Sequence, residues 1–288
     1  GERVVIPNGI KRGANRRFAG EDVRQNARIL EAGMRLRPQD IGLAAAVGRT
    51  ELTVCKPLRV AIFSTGDEVR DPGTDAPGGT IFDSNRHTVS ALLRGLGCTV
   101  IDMGILPDSF DAIHGGLEDA VGKADMILTT GGVSTGGEDH VRSAVDALGS
   151  LHFWRLAIKP GRPVALGQIG NVPFIGLPGN PVAVMVTFLR VARPLIQRLA
   201  GAMDSDPALF PVRAAFDYKK KKDRREYVRV TLKRTGAGDL EAVKFDREGA
   251  GILSSMVAAD GLVELPEDCT GVKAGDIVDY LPFSEVGL

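Results

Sequence analysis

The sequence predicts an α/β fold, a parallel sheet with helices on both faces, followed by a small β-barrel or sandwich. Three observations carry this prediction. Between residues 58 and 203, short apolar runs alternate with segments of helical periodicity, as βαβ units require. Beyond residue 206 the helical period ends, and short strand-like runs are separated by Gly, Asp and Pro turns. The chain has 288 residues, 43% of them hydrophobic, which is enough for a sizeable core.

Composition favours no class of charged partner. Lys plus Arg and Asp plus Glu both number 36, so the formal net charge is zero and does not favour nucleic acid or a membrane surface. No stretch approaches the ~18 consecutive apolar residues of a membrane span, and no export signal opens the sequence. The cysteines, Cys55, Cys98 and Cys269, have no zinc-ligand spacing and suit a reducing compartment. We therefore expect a cytoplasmic protein.

Residues 1 to about 56 precede the predicted α/β domain. "RVVIP" is strand-like, "KRGANRRFAGEDV" is a basic loop, and "DIGLAAAVG" predicts a short buried helix capped by Asp40. The first residue is Gly1 rather than methionine, and "GERVVIP" resembles the middle of a strand. We therefore expect a processed or truncated chain.

Strands and helices are then predicted in alternation. "LRVAIFS" is a continuous apolar run, typical of a buried parallel strand. "SNRHTVSALLRGLG" predicts a helix with Ser84 as its cap, Gly97 as its stop and one apolar face formed by Val89, Leu92, Leu93 and Leu96. The strand "CTVIDMG", the helix "DSFDAIHGGLEDAVGKA", the strand "DMILTT" and the helix "DHVRSAVDALG" follow. Finally, the strand "VPFIG" leads into one long apolar helix, "PVAVMVTFLRVARPLIQRLA".

The last part of the chain is predicted to be all β. After the linker "GAMDSDPA", its strand-like runs are "REYVRVTLKR", "LEAVKF", "GLVELP" and "DIVDYLP". The basic run "KKKKDRR", residues 219–225, is interpreted as a solvated hairpin loop. A basic rim that attracts an anionic ligand is an alternative, and a nucleic-acid contact is the least favoured one.

Three glycine-rich turns follow predicted strands: "FSTGDEV", "TTGGVSTGGED" and "GLPGNP". Ligands of open α/β sheets bind at the carboxyl ends of the strands, where bare backbone N–H groups can hold an anion. The candidate binding residues are Thr65, Gly66, Asp67, Gly131, Gly132, Ser134, Pro178, Gly179, Asn180 and Pro181. Glu68 and Asp139 are candidate ligands of a divalent cation held against that anion. The alternative is that each turn only reverses the chain.

The stretch "FWRLAIKPGRP" is a fourth candidate element. A strand would place Arg155, Ala157 and Lys159 on one face, with Arg162 after a Pro-Gly turn. Such cations form a compact site for an oxyanion, and a solvent-exposed strand edge is the alternative. Neither the P-loop nor the GxGxxG fingerprint is present, so a kinase-like NTPase and a nicotinamide dehydrogenase are not supported.

As a set, these motifs closely resemble molybdopterin molybdenumtransferases, the MoeA and gephyrin E-domain family. The matching stretches are "NRRFAGEDV", "VAIFSTGDEV", "IFDSNR", "TTGGVSTGGED", "FWRLAIKPGRP" and "GLPGNPVAVMVTF", in the family's order. The resemblance implies a MogA-like three-layer αβα molybdopterin-binding domain at 57–203, a C-terminal β-barrel at 206–288, and a remnant of the N-terminal linker or helical region at 1–56. It also implies a homodimer.

The family's reaction inserts molybdate into adenylylated molybdopterin, uses a divalent cation such as Mg²⁺, and releases AMP and molybdenum cofactor. The adenylyltransferase of the same pathway is an implied partner. Position by position, the resemblance assigns acidic functional roles to Asp22, Glu68, Asp108 and Asp139, and the basic pair to Arg155 and Lys159, with arginine replacing the first lysine. Arg162 replaces a further lysine in the turn. Arg229, Ser254 and Ser255 fall where the family contributes to the molybdate pocket.

One departure concerns the N-terminal part of the family. Its inserted domain carries a "DNSAMDGYA"-type segment that has no counterpart in this sequence, so we expect a fragment or a chain that has lost that part. Two other functions stay open. A molybdopterin adenylyltransferase is disfavoured by the C-terminal β domain and by "NRRFAGEDV". A non-catalytic pterin-binding scaffold is the other alternative.

Overall fold

The computed structural model describes residues 1–5, 8–9, 11–133, 140–203, 206–236 and 238–287. The chain divides into two compact units, 1–54 and 55–288. The first unit contains helix α1 (Pro38–Ala46). Its N-cap is Arg37 rather than the predicted Asp40, which lies in the first turn and accepts the backbone N–H of Arg37 at 2.8 Å. Residues 3–5 do not form the predicted strand.

The second unit begins with a three-layer α/β region. Its strands are β1 (Arg59–Thr65), β2 (Val69–Arg70), β3 (Ile81–Phe82), β4 (Thr99–Leu106), β5 (Met126–Thr130), β6 (Gly149–Arg155), β7 (Ile158–Lys159), β8 (Pro163–Ile169) and β9 (Val172–Leu177). Six of them form one sheet in the order β4-β1-β5-β9-β8-β6. The predicted all-parallel sheet is wrong in one respect, because β8 runs antiparallel to both neighbours. Only Gly170 and Asn171 join β8 to β9, and so short a connection requires a hairpin.

Helices cover both faces of this sheet, which confirms the predicted architecture. They are α2 (Ser84–Gly95), α3 (Phe110–Val121), α4 (His140–Leu148), α5 (Pro181–Thr187), a π-helical turn (Phe188–Ala192) and α6 (Arg193–Leu199). On β1, Val60 and Ile62 pack with α2, α5 and α6, while Ala61 and Phe63 pack with α3 and α4. The alternation of side chains along the strand therefore builds two cores from one apolar run.

Two helix ends differ from prediction. The cap of α2 is Asp83, which accepts the backbone N–H of Arg86 at 3.0 Å, and the predicted cap Ser84 is the first helical residue. Gly97 follows the helix with φ +84°, as its predicted role as a stop requires. The predicted long helix is interrupted by the π-helical turn before Pro194, whose ring nitrogen has no hydrogen to continue the α-helical pattern.

The C-terminal part forms a closed β-barrel, which excludes the sandwich. Its elements are β10 (Phe210–Ala214), β11 (Tyr218–Lys219), β12 (Arg225–Arg234), β13 (Leu240–Lys244), α7 (Ser254–Ala258), β14 (Gly261–Leu265), β15 (Gly271–Val272), β16 (Ile277–Pro282) and a 3₁₀ turn (Phe283–Val286). The strand order is β13-β10-β16-β14-β12, and pairing of β12 with β13 closes the barrel. Strand β7 of the α/β region adds to β12 in parallel.

The basic run 219–225 is not a solvated loop throughout. Lys219 belongs to β11, and Lys220 is buried. The ammonium group of Lys220 donates to the backbone carbonyls of residues 221, 267 and 269, which satisfies its three donors. No helix among the described residues is long and apolar enough to cross a bilayer.

Candidate functional site

A cavity of about 730 Å³ lies where the carboxyl-end turns of the six-stranded sheet meet the barrel. The sheet turns contribute Thr65, Gly66, Glu68, Asp108, Gly131, Gly132, Pro178, Gly179 and Asn180 to its lining. Lys159 and Arg162 line it from the segment that follows β6, and Tyr218, Tyr227, Arg229 and Lys244 line it from the barrel. The cavity therefore brings together residues from distant parts of the sequence.

The turn after β5 requires glycine at two positions. Gly131 and Gly132 have φ of +85° and +66°. A Cβ on Gly132 would lie 2.4 Å from Cγ2 of Val141, and one on Gly131 would lie 2.7 Å from the carbonyl oxygen of Thr65. Bare backbone at these two positions therefore borders the cavity. The predicted residues Ser134 and Asp139 lie outside the described residues.

Two carboxylates line the sheet side of the cavity. The carboxylate of Glu68 lies over the backbone of Gly66, since a Cβ there would be 2.8 Å from Oε2 of Glu68. Thr65 donates its hydroxyl to Oδ1 of Asp108 at 3.3 Å. Asp67, although on the same turn, is outside the described lining.

These carboxylates suit a hard divalent cation. The described residues contain no group of three His, Cys, Asp or Glu side chains placed to hold a metal. Mg²⁺, however, is commonly bound by one or two carboxylates together with waters and substrate phosphates. Glu68 and Asp108 supply oxygen donors of that kind at one cavity, so the described residues fit the implied cation.

Arg86 holds the segment that follows Glu68. Its guanidinium is buried and lies 3.1 Å from Oδ2 of Asp83 and 2.6 Å from Oδ2 of Asp102, and it also pairs with Asp71. Strands β2 and β3 and the residues between them form an arm, residues 69–82. Asp71 follows β2 and Asp83 follows β3, so one arginine fixes both strands of this arm. Burial alone would raise the pKa of Asp102, but a hydrogen bond from Gly104 and the charge of Arg86 lower it.

The third predicted turn joins the α/β region to the barrel. Asn85 donates its amide to the carbonyl of Gly179 at 2.7 Å, and Val182 donates its N–H to the carbonyl of Ala250 at 2.9 Å. Pro181, which follows Asn180 and starts α5, has no N–H to offer. The N–H of Val182 is therefore used within the protein, while Gly179 and Asn180 of the turn line the cavity.

The predicted common strand of Arg155 and Lys159 is wrong. Arg155 ends β6 in the large sheet, whereas Lys159 lies in β7 and pairs with the barrel. Between them, Ala157 already accepts the N–H of Arg225 in the barrel at 2.9 Å, so the chain changes sheet after Arg155. A cis bond between Lys159 and Pro160 follows. Lys159 and Arg162 line the cavity, while Arg155 is exposed and outside the described lining.

Lys159 is bound to side chains of the barrel that the sequence analysis missed. Its ammonium donates to the hydroxyl of Tyr218 at 3.1 Å, and that hydroxyl donates to Oε2 of Glu226 at 2.8 Å. Burial would lower the pKa of Lys159, but Tyr218 and Glu226 raise it. Lys244, also in the lining, was missed too. No local motif marks these residues, because Tyr218 and Glu226 reach Lys159, and Lys244 reaches the cavity, only through tertiary pairing.

The remaining predicted residues are divided between the barrel and the first unit. Arg229 donates to Oγ of Ser255 at 2.8 Å and to the carbonyl of Gly249 at 2.9 Å. Burial lowers the pKa of Arg229. Ser255 is fully buried behind it, and Ser254 is exposed. Asp22 is an exposed residue of the unit formed by 1–54.

Three family models match the chain. They are described as "MoeA N-terminal region (domain I and II)" over residues 1–48, "Probable molybdopterin binding domain" over 61–198, and "MoeA C-terminal region (domain IV)" over 211–283.

Curated and solved proteins give the same result. The chain is 36% identical to molybdopterin molybdenumtransferase of Haemophilus influenzae, over 94% of this chain and 68% of that protein. It is 32% identical to molybdopterin molybdenumtransferase 2 of Mycobacterium tuberculosis, over 95% and 68%. Two MoeA crystal structures from Pyrococcus horikoshii match with TM-scores of 0.79 and 0.76 and identities of 30% and 28%. Each match covers 92% of this chain and 64% of the solved chain, so this chain spans less than two thirds of those structures.

Proposed function

Because the chain belongs to the molybdopterin molybdenumtransferase (MoeA) family, we propose that it inserts molybdate into adenylylated molybdopterin and releases AMP. One observation carries the proposal: one cavity is lined both by carboxylates of the sheet turns and by cations from the β7 segment and the barrel. Such a site suits a substrate that carries a phosphoanhydride beside a second, separate oxyanion.

The two ends of the cavity have different proposed tasks. We assign the phosphoanhydride to the turns with Gly66, Gly131 and Gly132, whose glycine backbone lines the cavity. We assign molybdate, a tetrahedral dianion, to Lys159, Arg162 and Arg229. Catalysis then depends on positioning and charge neutralisation rather than on a covalent enzyme intermediate.

We propose that Glu68 holds Mg²⁺ together with Asp139, which lies outside the described residues. When bound, the cation neutralises phosphate charge and polarises the phosphoanhydride. The hydroxyl of Thr65 holds the carboxylate of Asp108 next to this position. The proposed roles of Asp22 and Ser254 rest on the sequence resemblance alone.

The setting of the enzyme is also proposed. We infer a homodimer in the cytoplasm that receives its adenylylated substrate from the adenylyltransferase of the same pathway. Product transfer between consecutive enzymes would keep the reactive intermediate from water.

The proposal is tested by measuring AMP release from adenylylated molybdopterin, with and without molybdate and Mg²⁺. Lys159→Met and Arg155→Met form a matched pair, since both remove a cation of the same motif but only Lys159 lines the cavity. Loss of one well-placed charged contact corresponds to a fall of roughly tenfold or more in kcat/KM. We expect that fall for Lys159→Met and a fall of less than about threefold for Arg155→Met.

Three outcomes are distinguishable. Release that needs both ions and depends on Lys159 supports the proposal. Release that is independent of molybdate refutes the transferase reaction and favours a hydrolase. Equal losses in the two variants refute the assignment of molybdate to the cavity lined by Lys159.

A further inference from the structure

The ammonium group of Lys159 lies at the end of a chain of polar side chains. Glu226 is buried, with 1% of its side chain exposed, and its Oε1 accepts from Nη2 of Arg224 at 2.5 Å. Its Oε2 accepts from Tyr218, which in turn accepts from Lys159. Lys159 Nζ also lies 3.4 Å from that Oε2. Arg224, Glu226, Tyr218 and Lys159 therefore form a continuous network that ends at the cavity.

The direction of each hydrogen bond is fixed by chemistry. Arginine and lysine only donate, and an ionised carboxylate only accepts. Although burial alone would raise the pKa of Glu226, hydrogen bonds from Arg224 and Tyr218 lower it, so the carboxylate is ionised at neutral pH. Tyr218 has one hydroxyl proton, which goes to Glu226, and its lone pair is left for Lys159. The network therefore has one arrangement of protons, in which the ammonium donates to the Tyr218 hydroxyl.

The ring of Tyr218 contributes a second constraint. Lys159 Nζ lies 5.5 Å from its centroid and Lys244 Nζ lies 5.9 Å from it, both within the range of cation–π attraction. The Lys244 ammonium pairs with Glu248 at 3.2 Å. Since both lysines and the ring line the cavity, the two ammonium groups lie near the same aromatic side chain there.

We propose that Tyr218 is a positioning residue, which sets the Lys159 ammonium where its remaining donors meet a tetrahedral oxyanion. The inference deepens the proposed function and rests on it for the identity of that oxyanion. Lys159 has three N–H donors and gives one to Tyr218. Glu226 lies behind the same hydroxyl, so the ammonium is held from the barrel side and left to contact ligand from the cavity side. An arginine at position 159 would present a planar guanidinium to the Tyr218 hydroxyl instead of the compact ammonium of lysine.

The first test compares Tyr218→Phe with Tyr280→Phe in the full 288-residue chain. Both changes remove one hydroxyl from the barrel, and Tyr280 belongs to its interior core rather than to the cavity lining. We expect Tyr218→Phe to lower kcat/KM for molybdate about tenfold, as for a lost hydrogen bond to a charged group. The KM for adenylylated molybdopterin should stay unchanged, and Tyr280→Phe should change neither parameter. Equal effects on both substrates would overturn the inference, because they indicate a general structural role.

The second test needs no substrate. Lysine labelled with ¹³C at Cε reports the environment of each ammonium by NMR, and Lys159→Arg identifies the Lys159 signal. We expect Tyr218→Phe to shift that signal and to lower its titration midpoint, since the Tyr218 hydrogen bond raises the pKa of Lys159. An unchanged signal would overturn the inference whatever the kinetics show. A shifted signal in a protein without molybdate-dependent turnover would instead refute the proposed function and leave the positioning of Lys159 supported.

Discussion

Replacing Arg86 with methionine should strongly destabilise the unit formed by residues 55–288. The substitution keeps an unbranched apolar chain of similar length and removes the guanidinium that pairs with Asp71, Asp83 and Asp102. These acids come from three different loops and strands, so the change should also loosen the arm that follows Glu68.

The expected magnitude follows from burial. Arg86 and Asp83 have 5% and 2% of their side chains exposed, so methionine leaves one carboxylate buried without its cation. Breaking a buried pair in this way costs about 3–5 kcal/mol. Asp102 and Asp71 are 37% and 46% exposed and regain water, which limits their loss to about 1 kcal/mol each or less. For a unit of this size the total corresponds to a fall in Tm of roughly 10 °C.

Differential scanning calorimetry provides the assay, with Arg59→Met as the control. Arg59 also makes a two-point contact with one carboxylate, Asp125, with its Nη2 2.7 Å from Oδ1, but the two side chains are 51% and 39% exposed. Its loss should cost about 1 kcal/mol or less. The reasoning is refuted if Arg86→Met and Arg59→Met lower the melting temperature by similar amounts.

Two further predictions concern backbone and pH. Gly132→Ala should destabilise by about 2–4 kcal/mol, because it combines φ +66° with a contact of 2.4 Å to Val141, whereas Gly78→Ala, with open space at its Cβ, should be near neutral in the same thermal scan. Hydrogen bonds from Arg37 lower the pKa of Asp40 to about 2. A carboxylate with a lowered folded pKa stabilises the fold above its unfolded pKa of ~3.9, and that contribution disappears as the pH falls toward 2. An NMR titration of Asp40 with a midpoint near 4 would contradict this pairing.

Much of the α/β region could be predicted because its signals are local. The continuous apolar run of β1 predicts that both faces of the sheet are covered, as the two cores show. Gly97 predicts the end of a helix because glycine readily adopts the positive φ found there. The family could be predicted from the sequence because six separate motifs occur in the family's order. The family models and the curated relatives confirm that prediction. The division of the second unit at residues 203–206 stays a prediction.

The site was less predictable wherever distant segments meet. The period of two along the sequence predicts one strand that contains both Arg155 and Lys159. Nothing local shows that the chain changes sheet between them. The Tyr218 side chain reaches Lys159 only because β7 adds to the barrel, and Lys244 lies near the same ring. Likewise, nothing local shows that the N–H of Val182, in the first turn of α5, donates to the carbonyl of Ala250. The local sequence pattern specifies the helices and strands, whereas the contacts of the site depend on how distant strands pair.

The measurement that tests the central claim most directly is the location of molybdenum itself. Crystals grown with AMP and molybdate should give an anomalous signal at the molybdenum absorption edge. The account predicts one peak inside the cavity, within hydrogen-bonding reach of Lys159 and Arg229. A peak confined to other surface lysines or arginines, with AMP bound in the cavity, would contradict it.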